Sequence, residues 1–176
     1  MKKWVMLTLL LVCLAGGLLF AAAGTEKTSD FARTTIDIGI VASDVDKAAQ
    51  FYKDALGFTE VPGFDVSAKM AGDSGLADYK PFRVRVLVLS EEETATRVKL
   101  MEFPDAPGKK VDNRFIHSSL GYSYLTIFVS DMNTAVKRAK DPGVIPVKPP
   151  YHLGGNNYLT LLRDPDGNFV ELVGPR

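Results

Sequence analysis

The chain has 176 residues, a length that points to one domain. Its 21 Lys and Arg residues balance 21 Asp and Glu residues, so no excess of positive charge calls for a nucleic-acid partner. The one cysteine, Cys13, excludes an internal disulfide.

The first residues read as an export signal. Met1-Lys2-Lys3 is a short basic start, Trp4 to Phe20 is almost wholly apolar, and "AAA" at 21–23 suits a small-x-small cleavage site. Cleavage is expected after Ala23, placing the mature protein in the periplasm or outside the cell with no stable membrane span. The alternative is an uncleaved N-terminal anchor, since Trp4 to Ala23 approaches the ~20 residues that cross a bilayer. Residues 24–33 are polar and read as a linker.

"TIDIGIVA" predicts a strand over 35–42. Ser43-Asp44 is an N-cap signal, and Val45, Ala48, Ala49, Tyr52 and Leu56 then form one apolar helical face, closed by Gly57. Strands are expected at 58–64, 82–90 and 96–103, with a short helix near 66–71. Residues 104–120 form a linker. A second strand–cap–helix unit follows in "GYSYLTIFVSDMNTAVKRAKDPGV". A shift of 87 positions lays Ile40 on Ile127, Ser43 on Ser130, Asp44 on Asp131, Ala48 on Ala135, Lys53 on Lys140 and Asp54 on Asp141. Capping residues in register make this an internal duplication. Strands at 144–148, 157–163 and 168–174 complete the second half, with Pro165-Asp166-Gly167 as the last hairpin turn. Each half therefore reads strand–helix–strand–strand–strand.

On "IDIGIVASDVDKAAQFYKDALGF", "YLTIFVSDMNTAVKRA" and "RDPDGNFVELVG", the chain resembles the vicinal oxygen chelate superfamily of glyoxalases, bleomycin-resistance proteins and extradiol dioxygenases. The resemblance covers 34–175. It implies an α+β fold in which two βαβββ modules, 34–104 and 120–174, form a cup-like half-barrel, and it allows a homodimer. It also implies four metal-ligand positions, which fall here on Asp37, Lys99, Tyr124 and Glu171. Glu171 suits a divalent ion and Asp37 can hold a hard cation. Tyr124 is a rare ligand, and a charged Lys99 repels the metal. No metal cofactor is favoured, although a divalent ion is the alternative. A Lys99–Glu171 ion pair in the metal's place is the expectation.

Strand alternation puts Asp37, Tyr124, Lys99 and Glu171 on the cup face. Valines 84, 86 and 88 suit the core, which sends Arg83 and Arg85 towards the cup or its rim. Asp37, Arg85, Lys99, Tyr124 and Glu171 are the candidate ligand-binding residues. His117 and His152 fall outside the expected strands, His152 in a Gly-rich loop near the cup mouth, and neither has a legible partner. No catalytic residue can be named. The functional expectation is an exported protein holding a small molecule in its cup. The alternative is a metal-dependent lyase, isomerase or dioxygenase of the same superfamily.

Overall fold

The computed structural model describes residues 31–176, so the expected signal peptide and most of the linker after it lie outside the described residues. Residues 33–176 form one compact unit. It contains two four-stranded sheets built on the same plan. The first holds β1 (Ile38–Val41), β2 (Thr59–Val66), β3 (Phe82–Val88) and β4 (Arg97–Glu102) in the order β1-β4-β3-β2. The second holds β5 (Tyr124–Phe128), β6 (Tyr151–Gly154), β7 (Asn157–Arg163) and β8 (Phe169–Pro175) in the order β5-β8-β7-β6. In each module the first strand runs parallel to the last, and the remaining pairs are antiparallel. The two sheets are not closed into a barrel: β1 and β5 are both edge strands.

Each first strand feeds a helix through the same cap. Helix α1 (Val45–Gln50) starts where the Asp44 carboxylate accepts from Lys47 N at 3.0 Å. Helix α3 (Met132–Lys140) starts where Asp131 accepts from Thr134 N at 2.7 Å. A side-chain oxygen at this position satisfies an amide that the first helical turn leaves unpaired. Helix α1 runs into a π-helical turn, Phe51–Ala55, and Gly57 ends it at φ +82°, a conformation that costs glycine little.

One core joins the two modules. Ala48, Ala49, Phe51 and Tyr52 of module one meet Met132, Ala135 and Ala139 of α3, with Leu87, Val98, Leu100, Leu162, Val170 and Leu172 from the sheets. Tyr52 lies fully buried at its centre, edge-on to Phe51 and Phe58 at ring separations of 5.3 and 5.6 Å. Each buried Leu, Val, Phe or Met side chain of this core contributes about 1.5–3 kcal/mol of transfer free energy. Both helices thus cover one face of their sheets, called here the helix face; the opposite face is the front. In module one a second, smaller core forms on the front under α2 (Ala68–Asp73), where Ala71 meets Val66, Phe82, Val84 and Val86.

The expected strand at 144–148 does not form. Pro146 removes an amide donor from that stretch and Pro149 and Pro150 remove two more directly after it, and Val147 N to Leu161 O is the ladder-like bond that remains. Pairing starts immediately after Pro150, with Tyr151 opposite Leu159. His152 therefore lies in a strand rather than a loop. It pairs with Tyr158 on the helix face, its ring 5.0 Å from the Tyr158 ring, and its Nε2 lies 2.9 Å from Gly155 O. The glycines after it make the hairpin turn, with Gly154 and Gly155 at positive φ.

Candidate functional site

The front faces carry the candidate residues in register. In module one Gly39 pairs with Lys99, and Lys99 with Val86. That places Asp37, one step before β1, diagonally across from Lys99 on the same face. Lys99 Nζ lies 2.8 Å from Asp37 Oδ2, and Arg33 closes on Asp37 Oδ1 at 2.6 Å. The hydrogen bond from Lys99 holds the Asp37 carboxyl below its ordinary range, with Arg33 adding to the effect and partial burial opposing it.

In module two Thr126 pairs with Glu171, at the positions that match Gly39 and Lys99. Thr126 Oγ1 donates to Glu171 Oε2 at 2.7 Å. The expected Lys99–Glu171 pair is therefore not formed. Each residue instead uses the neighbouring strand of its own sheet, which lies within side-chain reach, and the two belong to different sheets. Tyr124 stands half-exposed beside Phe169, and Phe128 stands largely exposed beside Val173.

Arg85 points the other way from the expectation. Leu87, of the same parity, belongs to the shared core, whereas Val84 and Val86 belong to the small core on the front. Arg85 grips Glu60 with two nitrogens, at 2.6 and 2.8 Å, and reaches Asp46 of α1. Lys53 adds a contact to Glu60 at 3.0 Å. The Arg85 guanidinium, with Lys53 behind it, holds Glu60 down to about 2. This cluster braces the helix to the sheet and leaves Arg85 outside the front-face site. Arg83 is exposed, 3.9 Å from Asp65.

The turn before β8 contains structural ties that the pattern "RDPDGN" does not reveal beyond its shape. Asp164 is buried; its Oδ1 accepts from Asp166 N and Asn168 N at 3.0 and 2.8 Å, and its Oδ2 from Asn168 Nδ2 at 2.8 Å. Burial raises the Asp164 carboxyl despite these donors. Asp166 reaches module one and accepts from Ser43 N and Ser43 Oγ. Arg163 lies over the Phe169 ring at 4.0 Å and donates to the linker carbonyls of Asn113 and Arg114. The only sequence signal for these roles was an aspartate, too weak a strand or core former to be buried without partners.

As a metal site the four positions do not fit. Asp37 is already neutralised by two cations, Lys99 occupies a second position with its own charge, and Tyr124 offers a phenol, a rare metal ligand. Among the described residues no group of three or more His, Cys, Asp or Glu side chains could hold an ion. A groove of about 750 Å3 lies elsewhere, between α3 and residues 145–150 on the helix face. His117 is exposed and stacks on Phe115.

The front-face arrangement can be set beside known proteins. The family model for the glyoxalase/bleomycin resistance protein/dioxygenase superfamily matches residues 35–172. Among solved structures, a glyoxalase family protein from Bacillus cereus superposes with a TM-score of 0.69 at 20% identity, covering 85% of this chain and 97% of that one. Glyoxalase I from Zea mays gives 0.61 at 18% identity, over 80% of this chain and 46% of that one. The trypanothione-dependent glyoxalase I of Leishmania major gives 0.57 at 20% identity, over 81% and 87%. No curated protein matches. These likenesses carry the fold. With the family match across both modules and the paired βαβββ plan, the chain belongs to the glyoxalase/bleomycin resistance protein/dioxygenase superfamily.

Proposed function

We propose that this protein binds a small molecule on its front faces without a resident metal, and that it does so outside the cytoplasm after losing its first 23 residues. One observation carries the metal-free reading: Lys99 Nζ sits 2.8 Å from Asp37 Oδ2, so an ammonium stands where two ligands of a divalent ion would have to converge. The Lys99 ammonium, with Arg33 on the other oxygen, neutralises the Asp37 carboxylate that an ion would otherwise use. Partial exposure limits the pair's own worth to about 1 kcal/mol, so it acts through charge placement rather than stability. The front of module two, with Tyr124 and Phe128 open, supplies apolar surface for a ligand body. Export is supported by the basic start, apolar run and alanine triplet of the first 23 residues.

Metal analysis of the purified protein tests the central point. Zn, Ni, Mn and Fe are expected to remain well below one per chain after dialysis. Lys99→Glu is expected to create divalent-ion binding, because it replaces the repelling charge with a donor. Stoichiometric metal in the unaltered protein would overturn this reading in favour of a metal-dependent lyase, isomerase or dioxygenase. N-terminal sequencing of the protein recovered from the exported fraction is expected to begin at Gly24.

A further inference from the structure

The two front faces differ in charge, and the difference points to a ligand class. In module one Asp37 is answered by both Lys99 and Arg33. In module two Glu171 forms no ion pair among the described residues; its partner is the neutral hydroxyl of Thr126. Arg163, the cation that β7 carries on that face, lies over Phe169 and donates to the linker carbonyls. The sheet register then frames the carboxylate. Thr126 and Leu161 flank Glu171 directly, and Tyr124 and Phe128 sit two residues to either side of Thr126 on the same face. Phe169 and Val173 occupy the corresponding places on β8 itself. Such diagonal neighbours stand within reach of a long or aromatic side chain. Tyr124 is 49% and Phe128 80% exposed, so both rings are open to a ligand.

A half-buried carboxylate without a counter-charge, bordered by two open aromatic rings, offers two attractions to one kind of molecule. The carboxylate attracts a positive charge, and ring faces attract the same charge through their quadrupole while accepting apolar surface. We propose that this face binds a small organic ammonium with an aromatic or aliphatic body: Glu171 takes the charged head, and Tyr124 and Phe128 take its flanks. Thr126 positions the carboxylate by holding one oxygen. This inference rests on the reading of the front faces as the ligand site and names the ligand that its second half selects.

Three probes of similar size separate the possibilities: benzyltrimethylammonium, neutral benzyl alcohol and anionic benzoate, each titrated into the purified protein by calorimetry and by amide NMR. The cation is expected to shift amides in 124–128 and 169–173 and to bind about tenfold or more tighter than the alcohol, a typical span for one such contact. Glu171→Gln, which keeps an acceptor for Thr126, is expected to erase that preference while leaving alcohol binding unchanged. Phe128→Leu, at a largely exposed site, should weaken the cation severalfold without unfolding the domain. Equal or tighter binding of benzoate at 124–128, or a preference that survives Glu171→Gln, overturns the cation assignment. If benzoate instead perturbs 37–41 and 97–101, the front-face reading stands and this inference falls. If no probe perturbs either front face, both fall.

Discussion

Asp164 shows how much one side chain can organise. Its carboxylate takes two backbone amides and one side-chain amide inside a five-residue turn, and it does so while buried. Asp164→Ala would strand those donors. Leaving buried donors unpaired costs about 1–3 kcal/mol, so urea denaturation of the variant should show a loss of about 2–3 kcal/mol. Glu60 contributes through pH instead. Its folded pKa is lowered to about 2 from 4.5, so its stabilisation is present above the unfolded value and is lost as pH falls through the interval from about 4.5 to 2. Near the surface this amounts to about 1–2 kcal/mol. Glu60→Gln should flatten the stability–pH curve across that interval. Asp164 works in the opposite direction, because burial raises its carboxyl and the folded chain takes up that proton more readily. At this scale the sequence made Asp37 and Glu171 visible, since a lone acid in an apolar strand needs a partner. It did not make the partners visible. Lys99 and Glu171 correspond by module symmetry, but strand register gives each a closer partner within its own sheet. Arg85 was misread for another reason: β3 is buried on both faces, so its valines could not say which face holds the helices.

Among the elements, the helices were the most legible. Their caps repeat across the duplication, and Asp44 and Asp131 perform the same bond. The sheet edge of module two was the least legible, because three prolines displaced a strand that its β-branched residues otherwise favoured. The close packing of β8 on the end of β5 was also hidden. A Cβ added at Gly174 would lie 2.1 Å from the Val129 carbonyl oxygen, and backbone at that distance cannot yield without parting the strands. Gly174→Ala should therefore lower the melting temperature, with a loss of about 2 kcal/mol or more, a size that marks direct steric conflict. Gly63, beside the β2 irregularity, faces the same obstacle from Val84 O.

For the molecule as a whole, Tyr52 and its neighbours weld the helices, and Asp166 ties the last turn to Ser43 at the end of the first strand. Removing the tie with Asp166→Ala should leave each sheet formed but lower hydrogen-exchange protection in 45–56 and 169–175, where the modules meet. The strand orders carry a further consequence. In both modules the strand made last is an inner one: β4 lies between β1 and β3, and β8 lies between β5 and β7. During synthesis β5, β6 and β7 emerge with no strand between β5 and β7 to join them, and β5 has no partner until Phe169 and its successors leave the ribosome. Module two can therefore close only once β8 has been made, and a chain cut before Phe169 lacks the centre of a sheet, not merely its margin.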